Sequence, residues 1–295
     1  MASAAEWIEG ARLRTLPTAV SPVVAGTAVG WWQGGAPVAV VALCLVVALG
    51  LAIGVNFAND YSDGIRGTDD HRVGPQRLVG SGAADPARVR NAAFGCFGVS
   101  SAAGLAAVII TGHWWLLAVG AACVLAAWFY TGGRHPYGYL GLGEVFVFVF
   151  FGLVATAGTV YLLDGRVAAA GWAAAVAMGL AADGVLVTNN LRDIDSDRAA
   201  GKRTLETRLG DRGARLLYAG LVVAVALCGV AVAALSTWWA LLCLLGVVPL
   251  ALAARVILAG ARGMPLVATL RSTSTGELVF SIGVLAGTAI SLALA

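Results

Sequence analysis

The sequence predicts an all-α, multi-pass membrane protein with nine transmembrane helices. Its composition is strongly apolar: 59% of the residues are hydrophobic and only 12% are charged, and the mean hydropathy is +0.85. In ordinary globular domains the charged fraction is about 25%. The apolar residues also form repeated stretches of about 20 residues, the length that spans a hydrocarbon core of ~30 Å.

Nine apolar stretches follow one another along the chain. Their ranges are 16–33, 36–58, 88–111, 113–131, 142–163, 167–191, 213–234, 237–259 and 268–294. The first is the least regular, because Pro17 and Pro22 interrupt it. The stretches almost entirely lack the polar face at helical period that a large soluble helical core would need. Their many Ala, Gly and Ser residues are typical of helices that pack closely in lipid.

The basic residues predict how the chain is oriented. With nine crossings, the loops and adjoining helix ends divide into two sets on opposite sides of the membrane. The chain has 19 Lys and Arg residues, and all of them except Arg166 fall in the set that includes the N-terminus. Because cytoplasmic loops carry the excess of Lys and Arg, we expect a cell-membrane protein with this set on the cytoplasmic side.

A first cluster of acidic and amide side chains follows the second apolar stretch, in the segment NFANDYSDGIRGTDD at 56–70. Asn56, Asp60 and Asp63 stand at positions i, i+4 and i+7. This spacing places them on one face of a helix where it leaves the membrane.

A matching cluster follows the sixth stretch, in TNNLRDIDSDRAAGKRTLE at 188–206. Asn189, Asp193 and Asp197 stand at i, i+4 and i+8 and again share one face. Asp195 points away from that face and is expected to be solvated. Both clusters are on the side predicted to be cytoplasmic.

The repeated cluster indicates an internal duplication inside a single domain that covers 1–295. Three apolar stretches separate the two helices that carry the clusters, so both helices run in the same direction. We therefore expect a four-helix pseudo-repeat, about 16–131 and 142–259, followed by a last helix at 268–294.

Grouped carboxylates at a bilayer boundary need a compensating cation. Oxygen ligands without nearby His or Cys suit Mg²⁺, which binds one or two carboxylates and completes its shell with water and substrate phosphate. Basic residues that could hold a phosphate group follow both clusters: Arg66, Arg72 and Arg77 after the first, and Lys202 and Arg203 after the second. A solvated loop with fortuitous acids is the alternative interpretation.

The chemistry that this pattern favours is metal-assisted departure of diphosphate from an allylic prenyl diphosphate. Mg²⁺ and cationic side chains would neutralise the charge that develops on the leaving group. A membrane-embedded cavity would bury the polyprenyl tail, at roughly 0.8 kcal/mol per CH₂, and would keep water from the carbocation. An electron-rich aromatic ring could then capture the cation.

Three segments carry a resemblance to a known family. NDYSDGIRGTD, YTGGRHPYGYLGLGEVFVFVFFG at 130–152 and NNLRDIDSDRAAGKRTL resemble motifs of the UbiA-type intramembrane prenyltransferase superfamily. Within it, they are most similar to the family that prenylates 1,4-dihydroxy-2-naphthoate. The resemblance runs from the second apolar stretch to the sixth, about half of the chain. Asp69 matches this narrower family, whereas the commoner superfamily motif has an acid where this chain has Gly67.

The resemblance implies a ring of helices around a central cavity capped by cytoplasmic loops, and two Mg²⁺ ions. The implied catalytic and metal-binding residues are Asp60 with Asp63 and Asp193 with Asp197, supported by Asn56 and Asn189. The residues implied for diphosphate binding are Lys202, Arg203, Arg77 and Arg66. The implied reaction joins the prenyl group of a polyprenyl diphosphate to the ring carbon that bears the carboxylate of the naphthoate. CO₂ and diphosphate leave, giving a demethylmenaquinone.

Further candidates could contact the aromatic acid acceptor. They are Arg134, Tyr130, Tyr139, Glu144, Asp183 and Asp69. The alternative for the Gly-rich stretch around Arg134 is an interfacial turn with tyrosine anchors, and for Asp183 a structural hydrogen bond to a neighbouring helix. A second acid within an apolar stretch, Glu277, lies in a locally polar segment, and its role stays open.

Two other functions share some of these features. A sister prenyltransferase acting on 4-hydroxybenzoate, homogentisate or haem would carry the same paired acidic motifs. A cation transporter would also have acids within a helical bundle, but near the bilayer midplane. Beyond the two substrates and the membrane lipid, we expect no nucleic acid, and the sequence indicates no obligatory protein partner.

Overall fold

The computed structural model describes residues 2–35, 37–67 and 77–295, and within these ranges the chain is helical and has no β-strand. Asp69 and Arg72 lie outside the described residues. The helices are α1 (Ala4–Gly10), α2 (Pro17–Trp32), α3 (Val38–Gly64), α4 (Pro86–Thr111), α5 (Leu116–Phe129), α6 (Gly143–Asp164), α7 (Ala169–Arg192), α8 (Ile194–Ala199), α9 (Leu205–Leu235), α10 (Trp238–Leu258) and α11 (Met264–Leu294). Two short 3-10 turns cover Leu13–Thr15 and Tyr137–Leu140.

The helices are those of an integral membrane protein. Seven of them in the described ranges are long and apolar enough to cross a bilayer: α3, α4, α6, α7, α9, α10 and α11. Helices α2 and α5 match the first and fourth apolar stretches but have only 16 and 14 residues. At 1.5 Å per residue they are about 24 and 21 Å long, shorter than a hydrocarbon core of ~30 Å. The all-α membrane fold is thus confirmed, and nine crossings stays a prediction.

Helix α7 is the most buried of the long helices. It packs against α2, α6, α9 and α11, and most of its length is buried inside the protein. The outer helices instead expose large apolar side chains, such as Ile109 on α4 and Leu227 on α9. A contiguous apolar exterior of this kind is stable only in a lipid environment. The acidic cluster at the end of α7 is therefore carried by a helix in the interior of the bundle.

Small residues allow α6 and α7 to approach closely. A Cβ atom built on Gly152 would lie 2.5 Å from the Cα of Gly179, closer than real side chains allow. The same stretch of α6, Phe148–Ala157, is π-helical, a geometry often found near functional sites. The contact between Gly152 and Gly179 is typical of membrane proteins, in which small residues are common where helices pack closely.

Candidate active site

A cavity of about 1800 Å³ runs through the protein beside α7. Its wall reaches from Lys202, which follows α7 and α8, to Arg166, which precedes α7. Most of the wall is apolar, with side chains such as Leu51 and Phe150, whereas acidic, amide and basic side chains gather at the Lys202 end. The cavity therefore combines a polar end with a long apolar interior.

The first predicted cluster contributes only part of its side chains to the cavity. Asn56, Asn59 and Asp63 line it, at positions i, i+3 and i+7 of α3. Asn56 donates from Nδ2 to the carbonyl oxygen of Ala11 at 3.1 Å. Asn59 accepts a hydrogen bond at Oδ1 from Thr131 Oγ1 at 2.7 Å. These contacts tie the end of α3 to the N-terminal segment and to the loop after α5.

Asp60 has a different environment. Its side chain is fully buried, and the cavity wall does not include it. Its two carboxylate oxygens accept hydrogen bonds from backbone N–H groups, Oδ2 from Leu78 at 2.8 Å and Oδ1 from Val79 at 2.9 Å. The chain returns to α3 at this point, and its amides occupy the oxygens that were expected to bind metal. A metal-binding role for Asp60 stays a prediction that this arrangement does not support.

The second cluster forms where α7 ends. Asp193 caps α7 with non-helical backbone (φ −95°, ψ 8°) and α8 follows directly. Arg192 donates to both oxygens of Asp193, at 2.7 and 2.6 Å, and to Asn189 Oδ1 at 2.7 Å. All three residues line the cavity. Sequence reasoning did not single out Arg192, although its position between the two predicted ligands was a signal.

Lys202 brings the two clusters together. Its Nζ lies 3.6 Å from Asp63 Oδ2 and 3.7 Å from Asp197 Oδ1. It also lies 4.6 Å from the ring centre of Tyr139, and the Tyr139 hydroxyl donates to Asp63 Oδ1. One cation thus compensates a carboxylate from each motif, and the pairing of carboxylates around metal within each motif stays a prediction. In contrast, Asp195 is 81% exposed, so its predicted outward direction is confirmed.

The other predicted diphosphate-binding residues differ in position. Arg77 lines the cavity. Arg66 is exposed and donates to the carbonyl oxygens of Thr131 and Gly133, so it connects the end of α3 to the loop after α5. Arg203 is exposed and outside the cavity wall.

Some of the residues predicted to contact the acceptor also line the cavity, and others do not. Tyr130 and Tyr139 line the cavity, whereas Arg134 is exposed and outside its wall. Glu144 and Asp183 are buried behind the wall. Tyr137 also lines the cavity. Burial raises the pKa of its phenol well above the usual range, and the phenol donates to the carbonyl oxygen of Ala126 at 2.8 Å.

Two further polar residues were missed by sequence reasoning. Asn190 lines the cavity and donates from Nδ2 to Glu144 and Glu206. Glu206 is fully buried in the first turn of α9. Glu206 lies at the end of the second acidic stretch, which was a signal for it. It was missed because an acid shortly after an N-capping Thr204 is typical of an ordinary helix start.

Comparison with known proteins assigns the fold and the family. The sequence pattern of the UbiA prenyltransferase family matches residues 19–292. The chain belongs to this family. The expected resemblance is therefore confirmed, and it extends over nearly the whole chain rather than half of it.

Similar proteins within the UbiA family point to one group of prenyltransferases. A 1,4-dihydroxy-2-naphthoate octaprenyltransferase of Mycobacterium leprae is 51% identical over 287 residues, 96% of each chain. One of Escherichia coli is 40% identical over 228 residues, 75% of this chain and 74% of the relative. These relatives agree with the naphthoate-type motifs noted in the sequence.

Solved structures of the UbiA family share the fold. A UbiA homologue of Aeropyrum pernix superposes with a TM-score of 0.66 at 18% identity, covering 95% of this chain and 99% of that one. A homologue of Archaeoglobus fulgidus, solved with GPP and Mg²⁺, superposes with a TM-score of 0.59 at 15% identity, covering 93% and 99%.

Proposed function

We propose that this protein transfers a polyprenyl group from a polyprenyl diphosphate to 1,4-dihydroxy-2-naphthoate, in a Mg²⁺-dependent reaction of menaquinone biosynthesis. The observation that carries the proposal is the 51% identity to a 1,4-dihydroxy-2-naphthoate octaprenyltransferase over 96% of both chains. The cavity supports it, because its polar end and its apolar interior suit the two ends of a prenyl diphosphate. CO₂ and diphosphate leave, and the product is a demethylmenaquinone.

The polar end of the cavity would bind the diphosphate. Lys202, Arg77 and Arg192 are among the basic side chains that line the cavity, together with Arg12 and Arg14 of the N-terminal segment. Their positive charges would stabilise the charge that builds up on the leaving group as its bond to the prenyl carbon breaks. Arg192 would contribute once the metal takes its place at Asp193 and the diphosphate takes the place of Asp193 at Arg192.

The oxygen donors at this end fit Mg²⁺. In the described part of the chain no three His, Cys, Asp or Glu side chains converge as a metal cage. Mg²⁺ usually takes one or two carboxylates and completes its shell with water and phosphate oxygens, so paired acids suffice. Asp63, Asp193 and Asp197, with Asn56 and Asn189, would hold two ions. When bound, the metal neutralises the diphosphate and assists its departure.

The apolar interior would hold the prenyl tail. Side chains such as Leu51, Leu116, Phe150 and Leu162 line it, and each buried CH₂ of the tail would contribute roughly 0.8 kcal/mol. The same walls would exclude water from the carbocation, so that the acceptor ring captures it. We assign the acceptor to the space beside Tyr130 and Tyr139, where the polar end meets the apolar interior.

We also propose how the chain lies in the membrane. Helices α2 and α5 would complete a nine-helix ring as shorter crossings, and the loops around Asp63 and Lys202 would face the cytoplasm, as the basic residues indicate. The packing of α3 on α4 is matched by that of α7 on α9, as a four-helix pseudo-repeat would require.

A direct assay tests the proposed reaction. The protein is purified into lipid nanodiscs and given radiolabelled prenyl diphosphate with Mg²⁺ and either 1,4-dihydroxy-2-naphthoate or 4-hydroxybenzoate. We expect labelled demethylmenaquinone from the naphthoate. When the label is instead in the carboxyl group of the naphthoate, we expect one labelled CO₂ per product. Labelled product from hydroxybenzoate alone would identify a sister prenyltransferase, and activity in excess chelator would contradict the metal requirement.

A further inference from the structure

Two buried glutamates meet behind the wall of the cavity. Glu144 is in the first turn of α6 and is 9% exposed, and Glu206 is in the first turn of α9 and is fully buried. Asn190 of α7 joins them, since its Nδ2 lies 3.3 Å from Glu144 Oε1 and 3.0 Å from Glu206 Oε2. Three helices that are distant in sequence thus build one polar unit, the Glu144–Asn190–Glu206 unit.

No basic residue in the described part of the chain pairs with this unit. In residues 2–35, 37–67 and 77–295, no Lys, Arg or His forms a salt bridge with Glu144 or Glu206. The second oxygen of Glu206, Oε1, receives no hydrogen bond from the described residues either. A carboxylate oxygen accepts hydrogen bonds and protons, so this oxygen is available to accept a proton within the unit.

The unit has a polar connection to the cavity. Asn190 lines the cavity, and so does Tyr130. A methyl group built on Gly143 would lie 3.5 Å from the Tyr130 hydroxyl, which places this hydroxyl beside the start of α6 and thus near Glu144. The phenol thus lies between the space assigned to the acceptor and the unit.

This inference rests on the proposed reaction, in which the acceptor releases a proton at one step and takes a proton back at a later step. When the prenyl carbon bonds to the ring carbon bearing the carboxylate, its bond to diphosphate breaks and the neighbouring C–OH becomes C=O, releasing one proton. The bond to the carboxylate then breaks as CO₂ leaves, and its electron pair restores the aromatic ring and leaves an oxyanion. That oxyanion takes one proton back, so the overall reaction neither consumes nor releases a proton.

We propose that the Glu144–Asn190–Glu206 unit is the store for this proton. It accepts the proton through the Tyr130 hydroxyl as the C–C bond forms and returns it after CO₂ has left. Tyr130 is the residue that touches the acceptor, and the two glutamates act through it. A store inside the protein is needed because the cavity that protects the carbocation also excludes the water that would otherwise carry the proton.

The test uses Glu144→Gln and Glu206→Gln, which keep shape and burial, and Glu277→Gln as the matched control. Glu277 is also fully buried, but it does not bond to the cavity-lining Asn190. We expect the first two variants to lower kcat about 10²-fold, the usual contribution of a positioned proton acceptor, with KM for both substrates within about twofold. Glu277→Gln should keep kcat. An equal loss in Glu277→Gln would overturn the proposal, because it would indicate general damage to buried acids.

A second comparison separates proton storage from structure. With a ring-fluorinated naphthoate whose hydroxyl is already ionised, no proton has to be accepted, so the ratio of wild-type to variant kcat should fall toward 1. An unchanged ratio would overturn the proposal. Tyr130→Phe, which keeps the ring, should show the same dependence on the acceptor and provides the test if a glutamine variant does not fold. Absence of wild-type turnover with dihydroxynaphthoate would instead contradict the proposed function.

Discussion

The Nζ of Lys202 lies 3.6 Å from Asp63 Oδ2, although the two residues come from acidic motifs in opposite halves of the chain. Lys202 is bonded to its own motif as well, at 3.7 Å from Asp197 Oδ1. Both carboxylates and the ammonium are at least 86% buried as side chains, with exposures of 6%, 13% and 14%. An anionic ligand that draws Lys202 toward itself would remove its ammonium from both carboxylates, whose charge a bound metal could then neutralise.

The first prediction concerns this cation. Lys202→Met should lower kcat/KM about 10²-fold, the typical cost of removing one group that stabilises developing negative charge. Lys202→Arg, which keeps the charge, should lose less. Steady-state kinetics with varied prenyl diphosphate measures both. Arg198→Gln is the control, because Arg198 is 58% exposed and pairs only loosely with Asp195 at 3.9 Å; a comparable loss there would show that general surface charge matters instead.

The second prediction concerns Asp60. Asp60→Asn replaces one carboxylate oxygen by an NH₂ group that would face the backbone N–H of Leu78 or Val79. Hydrogen bonds to a charged group contribute about 1.5–3 kcal/mol, so the variant should unfold at a lower temperature in detergent. Asp195→Asn should not shift the melting temperature, since Asp195 is 81% exposed. An Asp60→Asn protein with wild-type melting but no metal response would show instead that Asp60 acts as a ligand.

The third prediction concerns helix packing. Gly152→Ala should destabilise the protein by about 1–3 kcal/mol, the usual cost of overpacking, because the new Cβ would lie 2.5 Å from Gly179 Cα. Gly158→Ala on the same helix meets no atom within 4 Å and should be neutral or stabilising by up to about 1 kcal/mol. Thermal unfolding in detergent compares the two. Equal melting temperatures would mean that α6 and α7 do not touch at these glycines.

The fourth prediction concerns orientation. The five native cysteines are free and can be replaced, after which single cysteines are placed at Asp195 and Arg166, whose side chains are 81% and 76% exposed. A membrane-impermeant maleimide added to intact cells should label Arg166→Cys only. Added to inverted vesicles, it should label Asp195→Cys only. The reverse pattern would contradict cytoplasmic loops around the active site.

The sequence alone determined the properties that depend on residues close together along the chain. Apolar stretches of membrane-spanning length identified the helices, because burial in lipid depends on local composition. The spacing of Asn56 and Asp63 followed from helical periodicity. The outward direction of Asp195 was also predicted correctly, although the helix assumed over 189–197 is interrupted at Asp193. The two motifs also carried enough pattern to identify the family, which the match over residues 19–292 confirms.

Tertiary structure alone decided which polar groups meet. Asp60 bonds to the amides of Leu78 and Val79 because the chain folds back there, and no spacing within α3 encodes that return. Glu144 and Glu206 come together through Asn190 because α6, α7 and α9 pack side by side. Hydrogen bonds act over about 3 Å, so their partners are fixed by the packing of distant segments and not by the order of residues.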